Sequence, residues 1–539
     1  MEDYNNSKKS IVTPILLSIV LVAGMLLGYI VNNKKYTYSV KGIGNNDKIE
    51  EVQQLIQNYY FEDIADEQLT DDMIRSLLAE LDPHTSYMTK EETKQFEVNM
   101  SGEFNGVGIQ FNILKDTLAV VAVTAGGPSE RAGILPGDKI LSVDKENIAG
   151  VGIQNNDVLQ KLRGKKGTVV ALEIYRKNTD KILKFNIKRE PISIHSIPYY
   201  GMLAPQTGYI NIDNFTQTTA REFHDALLDL SRQGMDKLIL DLRGNPGGYL
   251  GAAIAICDEL LPAGEYIVYT QGKNYPRQDY KATKRGLFQE NNQKVAVLID
   301  EYSASASEIV AGAVQDNERG IIAGRRSFGK GLVQTQFVLR DSSVILLTVA
   351  RYYTPLGRCI QRPFEQGKGE EYYNDIYARY ENGELQHEDS ISFNDTLKVL
   401  TRSGKVLYGG GGIMPDVFVP LLSSNDYVYF NRLFNSGIIY EYAAEYVDNH
   451  RNELKSLYPD VSSFIHAFSI TDVMIKQVTE KGNKEGIQGM LSNMSKQEMQ
   501  KWLKAYIGRM YLGDKAFYPV VYEKDEVILK ALTSLKKQS

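Results

Sequence analysis

Cysteine is nearly missing from this chain: 539 residues hold two, Cys257 and Cys359. Each lies in an apolar stretch, AIAICDELL and GRCIQ. They read as small core residues, although one disulfide is permitted outside the cytoplasm. Histidine is sparse too. The six histidines (His84, His195, His224, His387, His450 and His466) show no HExxH-type spacing, so a metal enzyme is disfavoured and no metal or cofactor is expected. A basic excess is also absent, with 61 Lys and Arg against 67 Asp and Glu and a net charge of −6. Nucleic acid is therefore not an expected partner. There is no short-period repeat and no long low-complexity tract. What remains is ordinary for a globular protein, 43% apolar and 24% charged residues. The length suits two to four folding units.

One long apolar run does occur. Residues 11–31 read IVTPILLSIVLVAGMLLGYIV, 21 residues without a charge, enough to span a bilayer as a helix. No face is polar, so a buried soluble helix fits poorly. No A-x-A-like site closes the run, which favours an uncleaved anchor over a signal peptide. Lys8 and Lys9 before it nearly balance Lys34 and Lys35 after it, so charge alone orients it weakly.

The rest divides by periodicity. Residues 45–98 form an N-terminal helical region. In it 49–80 carry apolar and charged positions at helical spacing, and LDPH at 81–84 ends the pattern because Pro83 disfavours helix at Asp82. Residues 99–190 are β-rich: GVGIQFNI, LAVVAVT, DKILSV, TVVALEIYR and KILKFNIKR are strand-like runs, interrupted by a helical NDVLQKLR. Residues 191–425 alternate strands (GYINIDNF, DKLILDL, KVAVLID) with helical segments, as an α/β core with a buried sheet does. VQTQFVL and VILLTVARYYT add strands. Residues 426–539 read as mainly helical.

Three segments of the α/β region carry chemistry. SASASEI (303–309) follows a buried strand and places Ser305 where a helix begins. Free N–H groups and a positive dipole end suit a nucleophile whose attack creates an oxyanion. Ser305 and Glu308 also fit a capping box, which needs no catalysis. DLRGNPGG (241–248) ends another strand; its glycines let backbone N–H groups approach a ligand closely, or make an ordinary tight turn. Paired with the Ala306 N–H, this turn reads as half of an oxyanion hole. GRRSFGKGLVQ (324–334) nearly spells a phosphate-binding loop. Gly331 stands where that loop needs a hydroxyl, and strand rather than helix follows, so nucleotide binding is rejected. Lys330 sits between glycines and an apolar strand, so partial burial is expected. Burial disfavours the charged ammonium. A base near neutral pH needs a pKa of roughly 7–8 instead of ~10.4. That shift costs about 3–4 kcal/mol, at ~1.4 per unit. A neutral Lys330 would take the Ser305 proton, with Gln334 orienting the amine through its amide oxygen.

Together these segments resemble the C-terminal processing peptidases, or tail-specific proteases, serine peptidase family S41. The resemblance covers roughly residues 45–425 and rests on SASASEI followed by GKGLVQ, with LDPHTSYM, YYTPLGRCIQ and GGIMPDV as further signatures. It implies Ser305 as nucleophile, Lys330 as base and Gln334 as its assistant. It puts the oxyanion donors on Gly247 and Ala306, with Gly248 as the competing choice. It implies an α/β fold with a ClpP/crotonase-like core and an inserted β-rich PDZ domain. In that domain GVGIQF, with Gly106, Val107, Gly108 and Ile109, would hold a terminal carboxylate while an edge strand pairs with the incoming tail. PSERAGILPGDKI (128–140) matches the middle of such modules. Arg163 is a candidate contact from this domain to the core.

The implied activity is that of a serine endopeptidase acting on proteins with exposed C-terminal tails. The alternative is a non-catalytic, membrane-anchored PDZ scaffold that binds such tails. The family works outside the cytoplasm. This places residues 1–10 in the cytoplasm, a single-pass anchor at 11–31 in the cytoplasmic (inner) membrane, and the catalytic part on the periplasmic or extracellular side. For the helical tail, oligomerisation, adaptor binding and covering the site stay open.

Overall fold

The computed structural model describes residues 47–537, except 115, 125, 177–178, 180, 284–285, 291, 392–393 and 422–424. The expected anchor at 11–31 and residues 1–10 lie outside the described residues. Among the described residues no helix is long and apolar enough to cross a membrane. The chain divides between Ile74 and Arg75 into two compact units. The helical stretch expected over 49–80 is two helices, α1 (Asp47–Tyr59) and α2 (Asp66–Ala79). The break falls at consecutive aromatics, Tyr59, Tyr60 and Phe61, which are weaker helix formers. Asp66 and Glu67 restart the helix where its dipole favours acid.

In the second unit, β1 (Ser86–Met88) leads to α3 (Lys90–Ser101), which opens on a capping box formed by Thr89 and Glu92. The β-rich module follows as β2 (Glu103–Gly106), β3 (Ile109–Leu114), β4 (Thr117–Val123), α4 (Pro128–Ala132), β5 (Lys139–Val143), β6 (Glu146–Asn147), α5 (Asn155–Leu162), β7 (Val169–Tyr175), β8 (Leu183–Lys188) and β9 (Glu190–Ser193). Its antiparallel sheet runs β3-β4-β5-β7-β8, and β2 pairs with β9 to close the module at its base. Inward residues such as Leu118, Ile140, Val170 and Leu172 alternate with outward ones and pack on Val158 and Leu162 of α5.

The core begins with β10 (Tyr199–Ala204), β11 (Thr207–Asn211), α6 (Thr219–Arg232), β12 (Lys237–Asp241), α7 (Leu250–Leu260), β13 (Tyr266–Gln271) and β14 (Gln278–Lys281). It continues with β15 (Lys294–Ile299), α8 (Ala306–Asp316), β16 (Gly320–Gly324), β17 (Leu332–Val338) and β18 (Val344–Tyr353). Helix α9 (Gly369–Glu381), the ribbon β19 (Lys398–Leu400) and β20 (Val406–Tyr408), and β21 (Val417–Phe418) complete it. The main sheet runs β10-β11-β12-β15-β16-β21, parallel except for β10. A second, antiparallel sheet runs β1-β18-β13-β14, with β17 also on β18.

The C-terminal region is helical: α10 (Val428–Asn435), α11 (Ile438–Leu457), α12 (Val461–Ala467), α13 (Asp472–Lys484), α14 (Asn493–Leu512), α15 (Asp514–Tyr522) and α16 (Glu526–Lys537). Helices α10 to α15 share their own core, including Leu433, Ile439, Phe464 and Leu503. This region has two structural jobs. Helices α6, α7 and α8 cover one face of the main sheet. A parallel sheet must bury both faces, and α16 covers the other: Ile528, Ala531 and Leu535 pack on Ile239, Leu298 and Ala323. Helix α11 lies along the PDZ-like sheet, where Arg451 donates to the Pro136 carbonyl at 3.3 Å. Ile528 is 1% exposed, so Ile528→Ala is expected to cost about 2–5 kcal/mol. Urea unfolding followed by far-UV circular dichroism checks this; an unchanged midpoint would mean α16 does not seal the sheet.

Candidate active site

Residues far apart in sequence meet at the carboxyl ends of β12 and β15. Ser305 follows β15 and starts α8 with φ 53° and ψ −110°. That backbone is unfavourable for a residue with a Cβ and costs on the order of 1–3 kcal/mol. A sharp strand-to-helix turn of this kind lifts a serine hydroxyl out of the fold. Ser305 and Glu308 are disposed as a capping box, but the Ser305 side chain makes no cap hydrogen bond. The carboxylate half does bond: the Ser305 N–H donates to Glu308 Oε2 at 2.8 Å.

Glu308 is fully buried and collects donors from the Lys330 loop. Its Oε2 also accepts from the Lys330 N–H at 2.9 Å, and its Oε1 accepts from Ser327 Oγ at 2.5 Å and Gly329 N–H at 2.7 Å. Burial pushes this carboxyl up to about 7, against the pull of those donors. Tyr352 of β18, 1% exposed, adds a second bridge: its one hydroxyl proton is shared between the Ser305 carbonyl, at 3.1 Å, and the Lys330 carbonyl. Two buried groups thus each tie Ser305 to Lys330 through the backbone. Burial lowers the Lys330 pKa, while Glu308 and Asp82 oppose the shift. Strand, not helix, follows Lys330, as the rejection of a phosphate loop requires.

The DLRGNPGG turn lies against Ser305. A Cβ on Gly247 (φ 99°) would stand 2.8 Å from Ser305 Cβ and 2.9 Å from Ala306 N, so glycine alone permits the approach. Asn245 clasps the turn: its Nδ2 donates to the Ile212 carbonyl at 2.7 Å, and its own carbonyl accepts from Ala304 N–H and Ser307 Oγ, both at 3.0 Å. The Gly247 N–H, assigned above to an oxyanion, instead donates to Asn245 Oδ1 at 2.8 Å, because the Asn245 side chain folds back over the turn. The Gly247 carbonyl accepts from the Phe215 N–H at 2.9 Å. In a planar trans peptide the Gly248 N–H therefore points the opposite way. Gly248 is exposed whereas Gly247 is buried. Ala306 is the first residue of α8, where N–H groups lack intrahelical acceptors.

Gln334 lies on β17 directly opposite Thr348 of β18, and its Nε2 donates to Thr348 Oγ1 at 3.3 Å. The three outlying signatures join the same neighbourhood. LDPHTSYM brings Asp82 to Thr348. From YYTPLGRCIQ, Gln361 Oε1 accepts from the Gly331 N–H at 2.8 Å, and Arg358 forms a buried ion pair with Asp316 at the end of α8. From GGIMPDV, the Ile413 N–H donates to Ser327 Oγ at 2.6 Å.

Gly106 ends β2, Val107 is buried, Gly108 turns with φ 73°, and Ile109 begins β3, the edge strand of its sheet. Arg163 does not reach the catalytic core. Its guanidinium bonds Gln95 of α3 at 3.2 Å and stacks over Phe104, because the C-terminus of α5 faces that helix. Both cysteines are free; Cys257 is buried, and burial raises its thiol pKa. Among the described residues no cluster could hold a metal.

Sequence reasoning saw Glu308 only as a capping partner and missed Tyr352 and Tyr372. The Tyr372 hydroxyl lies 3.0 Å from His84 Nε2 and 3.1 Å from Gln361 Nε2. Nothing in the local sequence of α9 signals that placement.

Residues 206–366 match the model of peptidase family S41, and residues 120–176 match that of a PDZ domain. Residues 30–93 match a domain described as the activating protease CtpB N-terminal domain. Residues 429–513 match a family of unknown function. A "Probable CtpA-like serine protease" of Staphylococcus epidermidis (strain ATCC 12228) is 34% identical over 356 residues, 66% of this chain and 70% of that protein. A protein of the same description from Staphylococcus aureus (strain COL) is 32% identical over 363 residues, with the same coverage. Among solved structures, a photosystem II D1 C-terminal processing protease is 25% identical, covering 70% of this chain and 88% of its own, with a TM-score of 0.35.

Proposed function

The chain belongs to peptidase family S41, the C-terminal processing serine peptidases, and from that premise we propose that it cuts protein tails with a Ser305/Lys330 dyad. The observation that carries this reading is the double bridge, through Glu308 and Tyr352, between the backbones of Ser305 and Lys330. A neutral Lys330 amine takes the Ser305 proton as Oγ attacks the scissile carbonyl. The ammonium returns that proton to the departing amine. Water, deprotonated by the same lysine, then releases the acyl group and restores Ser305. The oxyanion formed in each half-reaction sits beside the Ala306 N–H. Gly248 N–H is the second donor, since that of Gly247 is held by Asn245. Gln334 steadies the amine. The β3 edge and the Gly106–Ile109 turn take the substrate's free carboxylate end.

A tail-binding scaffold has no use for a desolvated lysine tied to a strained serine, and nothing in the site favours that reading. The uncharged run 11–31 supports a single-pass anchor in the cytoplasmic membrane, and it is the family resemblance that argues for a catalytic part outside the cytoplasm.

The test uses an unstructured protein substrate, with peptides identified by mass spectrometry. Wild type should release fragments, and Ser305→Ala should lose roughly a thousandfold or more in kcat. Amidating the substrate's C-terminus should raise KM. The base must be neutral, so kcat/KM should rise with pH through the lowered lysine pKa. Undiminished cleavage by Ser305→Ala would reject the assignment.

A further inference from the structure

The Leu81–Met88 strap joins the second sheet through β1, whose Ser86, Tyr87 and Met88 pair with Leu346, Ile345 and Val344. This pairing delivers Asp82 beside β17 and β18. The side chain of Asp82 is saturated with donors. Its Oδ1 accepts from the His84 N–H at 2.9 Å, the Thr85 N–H at 3.0 Å and Thr348 Oγ1 at 3.1 Å; its Oδ2 accepts from Thr85 Oγ1 at 2.5 Å. The Thr348 N–H in turn donates to Thr85 Oγ1 at 3.1 Å. An ionised carboxylate can only accept. Thr348 therefore spends its single hydroxyl proton on Asp82 and must present a lone pair to its other neighbour. That neighbour is Gln334 Nε2, at 3.3 Å. Direction is thus set along the whole chain: carboxylate, hydroxyl, amide nitrogen. With its nitrogen committed to Thr348, the Gln334 amide has its oxygen on the opposite prong.

We propose that Asp82 is a positioning residue of the peptidase site, acting through Thr348 to fix the Gln334 amide with its oxygen turned to the Lys330 amine. The proposal rests on the Ser305/Lys330 reading given above. It explains why a segment far upstream in the sequence is sewn onto β18: Gln334 alone could rotate by half a turn and donate to the amine's lone pair, occupying the site that must take the Ser305 proton. Asp82 has a second effect, through charge. The groups facing Lys330 are Glu308 from α8 and Asp82 from the strap, both of which favour the ammonium, and His84, which burial and the nearby Lys330 keep neutral by lowering its pKa to about 3. Arg362 also lowers the His84 pKa.

The two effects separate by mutation. Thr348→Val keeps the side-chain shape and removes the relay; kcat should fall about ten- to hundredfold with KM little changed, as expected when a catalytic group is misaimed. Thr348→Ser keeps the hydroxyl and should recover most of that loss. Asp82→Asn can still accept from Thr348 but lacks the charge, so the acid limb of the kcat–pH profile should move to lower pH, by up to about one unit. A Thr348→Val enzyme with wild-type kcat, a Thr348→Ser enzyme as slow as the valine variant, or an unmoved acid limb in Asp82→Asn would each overturn the proposal. Thermal melts accompany the kinetics; if the valine variant fails to fold, the serine and asparagine variants decide. Ser305→Ala runs in parallel. Cleavage surviving in Ser305→Ala removes the peptidase reading itself, whereas an inactive Ser305→Ala with an intact Thr348→Val removes only the relay.

Discussion

Lys330→Met is expected to cut kcat by roughly a thousandfold or more while raising the melting temperature. Both effects have one cause. The fold holds the Lys330 amine in a desolvated place, which lowers its pKa. The unfolded chain therefore binds a proton that the folded chain binds less tightly. Between the lowered pKa and the ordinary ~10.4, stability rises with pH, because the unfolded state carries more protons there. Below the lowered pKa the folding penalty is present in full; above ~10.4 it is gone. Methionine fills a similar volume, cannot be charged and removes the penalty. Wild type and Lys330→Met should differ most in melting temperature below the lowered lysine pKa and converge in strong alkali. Melts across that range, paired with kcat on a tail peptide, check both halves. A variant equally active, or less stable than wild type near neutral pH, would show that Lys330 is an ordinary surface cation.

The second large effect belongs to Glu308→Gln. Four donors converge on that carboxylate, from Ser305, Ser327, Gly329 and Lys330. A glutamine amide turns its NH₂ toward two of them, leaving buried donors facing a donor. Each such group costs about 1–3 kcal/mol, so a loss of about 3–5 kcal/mol is expected, the range for breaking a buried charged network. Activity should fall sharply as well, because one of the two ties between the backbones of Ser305 and Lys330 is broken. The pH signature has the opposite sign to that of Lys330. Burial pushes Glu308 up to about 7, so the folded state holds the proton more tightly than the unfolded state. Its contribution to stability is greatest below the ordinary carboxyl pKa, falls as pH rises toward 7, and levels off above that. Glu308→Gln should lack this slope. Urea titrations of both proteins at pH 4, 6 and 8 measure it, and parallel curves would rule out a titrating Glu308.

Much of the site was legible in the sequence. SASASEI placed a hydroxyl at a helix start, and α8 does begin at Ala306. The absence of a hydroxyl after Lys330 and the strand that follows it excluded a phosphate loop, and β17 does follow. The Gly-rich turn does press on Ser305. Glu308 was legible only as a capping partner, since a capping box involves one helix turn. Its role depends on residues 327–330 folding back over that turn. Gly247 looked like the donor because sequence marks which residues can turn tightly. Which N–H remains free depends on where the Asn245 side chain goes. Residues 426–539 read as mainly helical, as α16 is. That reading carried no information that the partner of α16 would be the far side of the catalytic sheet.

The sequence by itself determined the chemistry on offer and the order of elements: a serine at a helix start, a lysine between glycines, an uncharged membrane-length run, and strands and helices in alternation. These are decided by neighbours a few positions apart, through backbone sterics and hydrophobic period. Only the tertiary structure decided the environment of each group, namely the burial that lowers Lys330 and raises Glu308, the tyrosine that bridges two loops, and the aspartate that orients a distant amide. The reason is physical. Desolvation and convergent hydrogen bonds arise from atoms close in space, and positions 82, 305, 330 and 352 become close only when the sheets assemble.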